Sequence, residues 1–301
     1  MRALLTGAGG FCGRHLARYL EGRGVEVHTV GARETSTHHH RAEPLDVDAL
    51  SAAIEQADPA YVFHLAGTSS GRDIAGYYAA NTLYAAALFG ALERVSVTCP
   101  VLVVGTSAEY GVVAPEQLPI AEDTVPRPYS HYGISKLAQT QMALIVSRRR
   151  PVVVARPFNI IGPGMPDHGA VQSFARQVAD IVRRRRDPIV HVGNLEGSRD
   201  FVAVQDAVDV YWRLVQSPSA YGQIVNVCSG VGTTMRAVLT TLIDDAGVPI
   251  EVRVDPARVK PIDIDRHYGS VARLRAILGD SPADTVVPTL KRLLRELVRE
   301  P

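Results

Sequence analysis

The sequence predicts an α/β protein built on a doubly wound parallel sheet, with a smaller C-terminal lobe that holds substrate. Three observations predict it. Short apolar runs of strand type (Arg2–Thr6, Val25–Val30, Tyr61–Leu65, Val101–Thr106, Val152–Arg156) alternate with stretches of helical character. A glycine cluster, Gly7-Ala-Gly-Gly10-Phe-Cys-Gly13, follows the first run directly and opens the first helix. The alternation then breaks at Arg156-Pro-Phe-Asn159-Ile-Ile-Gly-Pro-Gly164, which reads as the passage into a second lobe. The division expected is residues 1–160 plus about 200–230 for the sheet domain, and about 161–199 and 231–301 for the lobe.

Each element has its own justification. Arg2–Thr6 is an apolar strand; after the glycines, Leu16, Tyr19 and Leu20 recur at helical spacing. Gly7, Gly10 and Gly13 permit a tight turn, close backbone approach to a pyrophosphate and close helix–strand packing, while the helix N-terminus offers unpaired N–H groups to phosphate. Val25–Val30 is the second strand. Its end lacks the carboxylate that would hold an adenosine 2′-hydroxyl, and Arg33 suits a 2′-phosphate instead, so NADPH is expected, with NADH the alternative. His38-His-His40 is read as solvated loop, because adjacent histidines point in different directions.

Residues 48–57 form a helix, Tyr61–Leu65 a buried strand, and 76–95 an Ala-rich helix containing Asn81. Val101–Thr106 brings Thr106 to the carboxyl edge of the sheet, where ligands sit. A proline-rich turn leads to the helix of Tyr132, and Val152–Arg156 is the next strand. In the second half, helices are expected at 174–182, 235–246 and 288–299, strands at 224–228 and 251–254, and irregular chain at 258–270. Arg183–Arg186 is read as a solvated helix end favoured by the dipole.

The totals exclude several function classes. With 32 basic against 31 acidic residues there is no net field to draw nucleic acid or an anionic membrane. No apolar run approaches the ~20 residues of a membrane helix, and the N-terminus lacks a signal-peptide core. Cys12, Cys99 and Cys228 have no metal-binding spacing and are expected as reduced thiols in a cytoplasmic protein.

The chemistry is placed at Tyr132-Gly-Ile-Ser-Lys136, where four-residue spacing puts phenol and ammonium on one helix face. Bringing a tyrosine from ~10 to about 7 takes roughly 4 kcal/mol. One ammonium about 4 Å away at an effective dielectric near 20 supplies about that much. Lys136 is therefore expected to lower the Tyr132 pKa.

Taken together, Thr6-Gly-x-x-Gly-x-x-Gly13, His64-Leu-Ala, Thr106 before Tyr110-Gly111, Tyr132-x-x-x-Lys136, Arg156-Pro-Phe-Asn159, Val192-Gly-Asn-Leu-Glu196, Arg199-Asp-Phe201 and Asn226-Val-Cys-Ser-Gly230 resemble the extended short-chain dehydrogenase/reductases acting on nucleotide sugars, with a Rossmann-like fold. The resemblance runs through almost the whole chain and is closest to the branch that handles GDP-linked sugars. It implies Thr106, Tyr132 and Lys136 as catalytic residues. It also implies Gly7, Gly10, Phe11 and Gly13 at the pyrophosphate, Asp46 and Val47 at the adenine, and Leu65 and Ala66 along the path to the nicotinamide. Ser107, Glu109, Asn159, Asn194, Arg199, Lys260 and Asp263 are the implied substrate contacts, and the 76–95 and 129–147 helices the implied homodimer interface.

Two departures sharpen the expectation. The family's dehydratases carry a carboxylate two residues before the Tyr-Gly pair, where this chain has Ala108; and an Arg-Pro near the C-terminus is here Lys260-Pro261, which keeps the charge but loses the bidentate fork. The expected activity is NAD(P)H-dependent reduction of a nucleotide-linked 4-keto sugar at C4. A 4-epimerase or 4,6-dehydratase that recycles bound NAD is the first alternative. A cofactor-binding protein without catalysis is the second, and retention of all three catalytic-type residues argues against it.

Overall fold

The computed structural model describes residues 1–70, 73–259 and 264–300. Its first half runs β1 (Arg2–Thr6), α1 (Phe11–Glu21), β2 (Glu26–Gly31), β3 (His39–Arg41), α2 (Val47–Ala57), β4 (Tyr61–His64), α3 (Ile74–Tyr78), a π-helical turn (Ala79–Leu83), α4 (Tyr84–Arg94), β5 (Val101–Val104), α5 (His131–Val146) and β6 (Val152–Pro157). The second half runs β7 (Asn159–Ile161), α6 (Ala170–Val182), β8 (Ile189–Val192), β9 (Ser198–Arg199), β10 (Phe201–Ala203), α7 (Val204–Val215), β11 (Ile224–Val227), β12 (Thr233–Thr234), α8 (Met235–Ala246), β13 (Glu251–Val254), β14 (Arg266–His267), α9 (Ala272–Leu278) and α10 (Val286–Arg299).

Seven strands form one parallel sheet in the order β11-β6-β5-β4-β1-β2-β3. The order reverses between β1 and β4, and such a switch point opens a crevice at the carboxyl ends of the strands. Thr6 and His64 face each other there in register, with Thr6 Oγ1 2.8 Å from His64 Nδ1. One face of the sheet is covered by α1 and α7, burying Leu5, Leu16, Leu20, Tyr211 and Leu214; Leu274 of α9 joins the same core. The other face carries α2 and α4, burying Leu4, Leu50, Ile54, Leu88 and Leu92. Each such aliphatic side chain contributes roughly 1.5–3 kcal/mol on burial.

A separate core unites α6, α8 and α10, with Phe174, Val178, Leu239, Leu242, Leu290 and Leu294 at its centre. The parallel pair β8–β13 flanks this lobe, and β9 lies between β12 and β14. Chain segments 201–215 and 224–227 return to the sheet half through α7 and β11.

Several details differ from the sequence expectation. The histidine tract is edge strand for the most part, because His39 and His40 pair with Thr29 and Val30 of β2. Helices α7 and α9 lie where no helix is expected. The first is rich in β-branched valines, and burial of Val204, Val208, Tyr211 and Val215 along one stripe overrides their weak helix preference. The alanines of α4 (Ala85, Ala87, Ala91) face the core.

Candidate active site

The glycine turn lies at the carboxyl end of β1, and its spacing is enforced by contact. Gly7 takes φ +71°, and a Cβ there would stand 2.5 Å from the Ala66 nitrogen; a Cβ on Gly13 would stand 2.2 Å from the Gly7 carbonyl oxygen. Gly10 caps α1 without a side-chain hydrogen bond, and no acid occupies the first helical turn. The first N–H groups of α1 therefore face outward with their partial positive charge uncompensated. This bare backbone cradle fits a dinucleotide pyrophosphate, since any side chain in it would fill the space that phosphate needs. Arg14 donates to the Gly9 and Gly164 carbonyl oxygens at 2.7 and 3.3 Å, and His15 meets the Pro163 oxygen at 2.9 Å. The helix that presents the cradle thus also holds the passage into the second lobe.

Around this cradle stand the other expected cofactor residues. Leu65 is half-buried and Ala66 buried; Ala66 donates its N–H to Thr6 Oγ1 at 3.3 Å. Phe11 begins α1 and packs edge-on against His15 at 5.5 Å. Arg33 is exposed in the loop after β2, and Thr35 of that loop reaches back to within 3.2 Å of where a Gly9 Cβ would lie. Asp46 caps α2 by accepting from the Ala49 N–H at 3.0 Å, with Val47 half-buried beside it.

Thr106, Tyr132 and Lys136 come together beyond the end of β5. Ser130 caps α5 and fixes its entry, so Tyr132 falls in the first turn and Lys136 one turn later. A Cβ on Gly133 would meet the Ala108 carbonyl oxygen at 2.7 Å, so glycine here lets α5 approach the 107–109 turn. The Thr106 side chain lies beside the Tyr132 phenol. Burial nevertheless pushes the Tyr132 pKa up; Thr106 lowers it, while the Glu109 charge raises it.

The expected lowering by Lys136 is therefore corrected. The Lys136 ammonium donates to the Val104 carbonyl at 2.5 Å and to Gln139 Oε1 at 2.8 Å, and it is not among the groups acting on the phenol. Burial brings Lys136 itself down to about 8, against an opposing pull from Glu109. Tyr132 is held as a neutral O–H donor at pH 7, and Lys136 is close to releasing its proton.

Glu109, expected at the substrate, is fully buried and turned inward. One carboxylate oxygen accepts from the Thr106 N–H at 2.9 Å and the other from Arg156 Nη2 at 2.6 Å. Ser107 is also nearly buried. Asn159 is half-buried and spends its amide N–H on the Asp200 carbonyl at 2.9 Å. Asn194 is exposed, its Oδ1 accepting from the Glu196 N–H at 2.9 Å, and Arg199 donates to the Ser198 and Ile264 carbonyls at 2.8 and 2.5 Å. Lys260 and Asp263 lie outside the described residues.

Three residues of consequence have no role in the sequence reading. Asn81, in the π turn, accepts from the Thr68 N–H at 2.8 Å and donates to the Thr68 carbonyl and Ser135 Oγ at 3.0 and 2.9 Å, tying the loop after β4 to α5. Gln139 holds Lys136. Asp200 is fully buried; it accepts from the Ser229, Gly230 and Gly269 N–H groups at 2.8, 2.9 and 3.2 Å, and so fixes the turn beside Arg199. A polar residue inside an alanine-rich helix, as Asn81 is, was the available signal.

Comparison with known proteins gives four findings. The sequence profile of the NAD dependent epimerase/dehydratase family matches residues 3–228. The chain is 35% identical to the GDP-6-deoxy-D-mannose reductase of Pseudomonas aeruginosa over 98% of its own length and 96% of that protein. It is 26% identical to the GDP-6-deoxy-D-talose 4-dehydrogenase of Aggregatibacter actinomycetemcomitans, covering 99% and 97%. Among solved structures, RMD from Pseudomonas aeruginosa complexed with NADPH superposes with a TM-score of 0.88 at 32% identity, covering 99% of this chain and 98% of that one.

Proposed function

The chain belongs to the NAD dependent epimerase/dehydratase family, and from that premise we propose that it reduces the 4-keto group of a GDP-linked 6-deoxy sugar with NADPH. The observation that carries this reading is the placement of Tyr132: its phenol stands beside Thr106 past the carboxyl end of β5, with Ala108 where a second acid–base group would be needed. A proton donor with no carboxylate at position 108, and with Glu109 committed to Arg156 and the Thr106 N–H, suits a single reduction and leaves C5 untouched.

The cofactor would rest on Gly7, Gly10, Phe11 and Gly13 at its pyrophosphate, Asp46 and Val47 at its adenine, Arg33 at its 2′-phosphate and Leu65 with Ala66 along its length. Bound NADPH supplies the hydride that C4 receives. Tyr132 donates its phenolic proton to the carbonyl oxygen as general acid, and Thr106 hydrogen-bonds that oxygen and polarises it. Lys136 would bind the nicotinamide ribose through its ammonium. Asn159, Asn194 and Arg199 would grip nucleotide and diphosphate, Arg199 with a planar fork suited to phosphate oxygens; Ser107 lines the sugar side, and Lys260 and Asp263 are carried with them on the family pattern.

Among the described residues no helix is long and apolar enough to cross a membrane, and the three cysteines are unpaired thiols. The reading is of a cytoplasmic enzyme. It is of a homodimer too, through the helices spanning 76–95 and 129–147, where Leu83, Ile134 and Ile145 are exposed.

The test is incubation with a GDP-linked 4-keto-6-deoxy sugar, following loss of NADPH absorbance and identifying the product at C4 by NMR. One NADPH consumed per product formed, without deuterium at C5 in D2O, is expected. Turnover without added reductant, on NAD carried through purification, would assign an epimerase or dehydratase instead.

A further inference from the structure

At the edge of the sheet opposite β11, β2 and β3 bring together histidines that the reduction does not use. Their parallel register sets Thr29 beside His39 and Val30 beside His40. Strand alternation then turns His39 away from its two neighbours: its Nδ1 meets Thr29 Oγ1 at 2.9 Å and its Nε2 the Gly31 oxygen at 3.1 Å. His38 and His40 lie on the His28 side. The His28 ring is stacked against both, with centroids 5.0 and 5.2 Å away and planes 21° and 15° apart. Its Nε2 stands 2.6 Å from Glu26 Oε1.

We propose that Glu26, His28 and His38 bind a divalent transition-metal ion of the zinc type, with His40 as the outer partner of His28. One ligand atom from each of the three residues falls within 4.8 Å of the others. Metal–nitrogen and metal–oxygen bonds of about 2.0–2.2 Å span at most about 4.4 Å between two ligand atoms, so a small rotation of the exposed Glu26 and His38 side chains closes the set around one ion. Two imidazoles and a carboxylate are borderline ligands that favour zinc-like ions over magnesium or calcium, which require mostly oxygen.

The hydrogen-bond chain behind the site fits a ligating His28. His28 Nδ1 is 2.9 Å from His40 Nε2, and His40 Nδ1 is 3.3 Å from Gln56 Oε1. Without an ion, His28 Nε2–H donates to the Glu26 carboxylate; an ion at Nε2 would replace that proton and leave Nδ1–H to donate to His40 Nε2. A metal-ligating histidine that donates its other N–H to an acceptor is the arrangement that fixes tautomer and ring orientation. The nearest competing cation, Arg2, is opposite Glu26 in the β1–β2 register and is paired with Asp58 at 2.5 Å.

The site has a structural consequence. His38 ends the loop that begins after Gly31 and carries Arg33, so an ion on His38 anchors the far end of that loop.

The test uses full-length protein without an affinity tag, stripped with a chelator. Zn²⁺ is titrated by calorimetry, and Co²⁺ by its visible ligand-field absorption. Stoichiometric Zn²⁺ uptake is expected, with no heat from Mg²⁺. His38→Ala and Glu26→Gln should each weaken Zn²⁺ by about tenfold or more, while circular dichroism and metal-free melting temperature stay as in the parent. His168→Ala, at an exposed histidine elsewhere, should leave binding unchanged. Absence of stoichiometric uptake overturns the proposal, and so does uptake that survives both His38→Ala and Glu26→Gln.

Discussion

The Glu109 carboxylate and the Arg156 guanidinium meet at 2.6 Å with both side chains closed to solvent, directly beneath Thr106. The Arg156 cation also lies over the Tyr110 ring, 4.5 Å from its centroid. Burial alone would keep Glu109 protonated, and Arg156 opposes that. Breaking such a pair by removing one partner is far costlier than replacing both, because it strands a charge in the interior. Glu109→Gln should therefore destabilise the protein by about 3–5 kcal/mol, read from urea denaturation. A Glu109→Leu/Arg156→Met double variant should regain most of that stability. It should still lose turnover, since the Thr106 N–H has lost its acceptor. A Glu109→Gln protein as stable as the parent would show that the pair does not hold the turn.

Tyr132 supplies the second prediction. Removing its hydroxyl removes the proposed proton donor beside Thr106, while the glycine cradle is untouched. Tyr132→Phe should lower kcat by roughly 10²–10⁴, the range of a lost general acid. NADPH affinity, measured by fluorescence titration, should stay within a factor of about three of the parent. Near-normal turnover would remove Tyr132 from the chemistry.

The pH dependence of activity tests Lys136. Its pKa is lowered to about 8 by burial, so on rising pH it loses its charge before any exposed lysine. If its ammonium holds the nicotinamide ribose, kcat/KM falls above about pH 8 with a one-proton limb. The Glu109 charge raises Lys136, so Glu109→Gln should move that limb to lower pH. A profile flat through pH 8 in the parent, or a limb that stays in place in Glu109→Gln, would separate the limb from Lys136.

Much of this architecture was legible in the sequence, and the reasons differ by residue. Gly7 and Gly13 could be read because backbone contacts at 2.5 and 2.2 Å leave no room for a side chain, so the spacing carries the geometry. Tyr132 and Lys136 could be placed together because helical spacing is local. The direction of the Lys136 ammonium could not, since the Val104 carbonyl that turns it arrives from a strand 32 residues away. Glu109 was misread for a related reason. Its partner Arg156 is 47 residues on, and only the β5–β6 pairing brings them together. The histidine tract was taken as loop because its pairing with β2 has no local signature.

Two buried histidines should make the protein acid-sensitive. Burial holds His64 at about 3 and His267 at about 4, against 6.5 for an ordinary histidine. As pH falls below 6.5 the unfolded chain takes up protons on both while the native state does not. The stability they contribute is thus complete above pH 6.5 and is lost toward pH 4, by about 1.4 kcal/mol per pH unit for each. Buried Glu109 and Asp200, both raised, act in the opposite sense. The difference between parent and His267→Gln isolates the histidine: the variant's free energy of unfolding should fall less steeply between pH 6.5 and 5. Parallel profiles would mean His267 does not titrate with unfolding.

The proposed function makes Arg33 the residue that selects the cofactor. It is exposed in the loop after β2, whose Thr35 leans on Gly9 at the glycine turn, so the loop borders the phosphate cradle. No acid occupies the end of β2 itself, where a carboxylate would grip an unphosphorylated ribose; Glu34 lies beyond Arg33 in the loop. Loss of one charge-assisted hydrogen bond to a 2′-phosphate costs about 1.5 kcal/mol or more, which is about tenfold in affinity. Arg33→Ala should therefore raise the KM for NADPH about tenfold and leave the KM for NADH within a factor of about two. The salt dependence of NADPH binding should weaken in parallel, because an exposed ion pair is screened within about 10 Å at 0.1 M salt. Equal changes for the two cofactors would assign Arg33 to the shape of the loop and not to the phosphate.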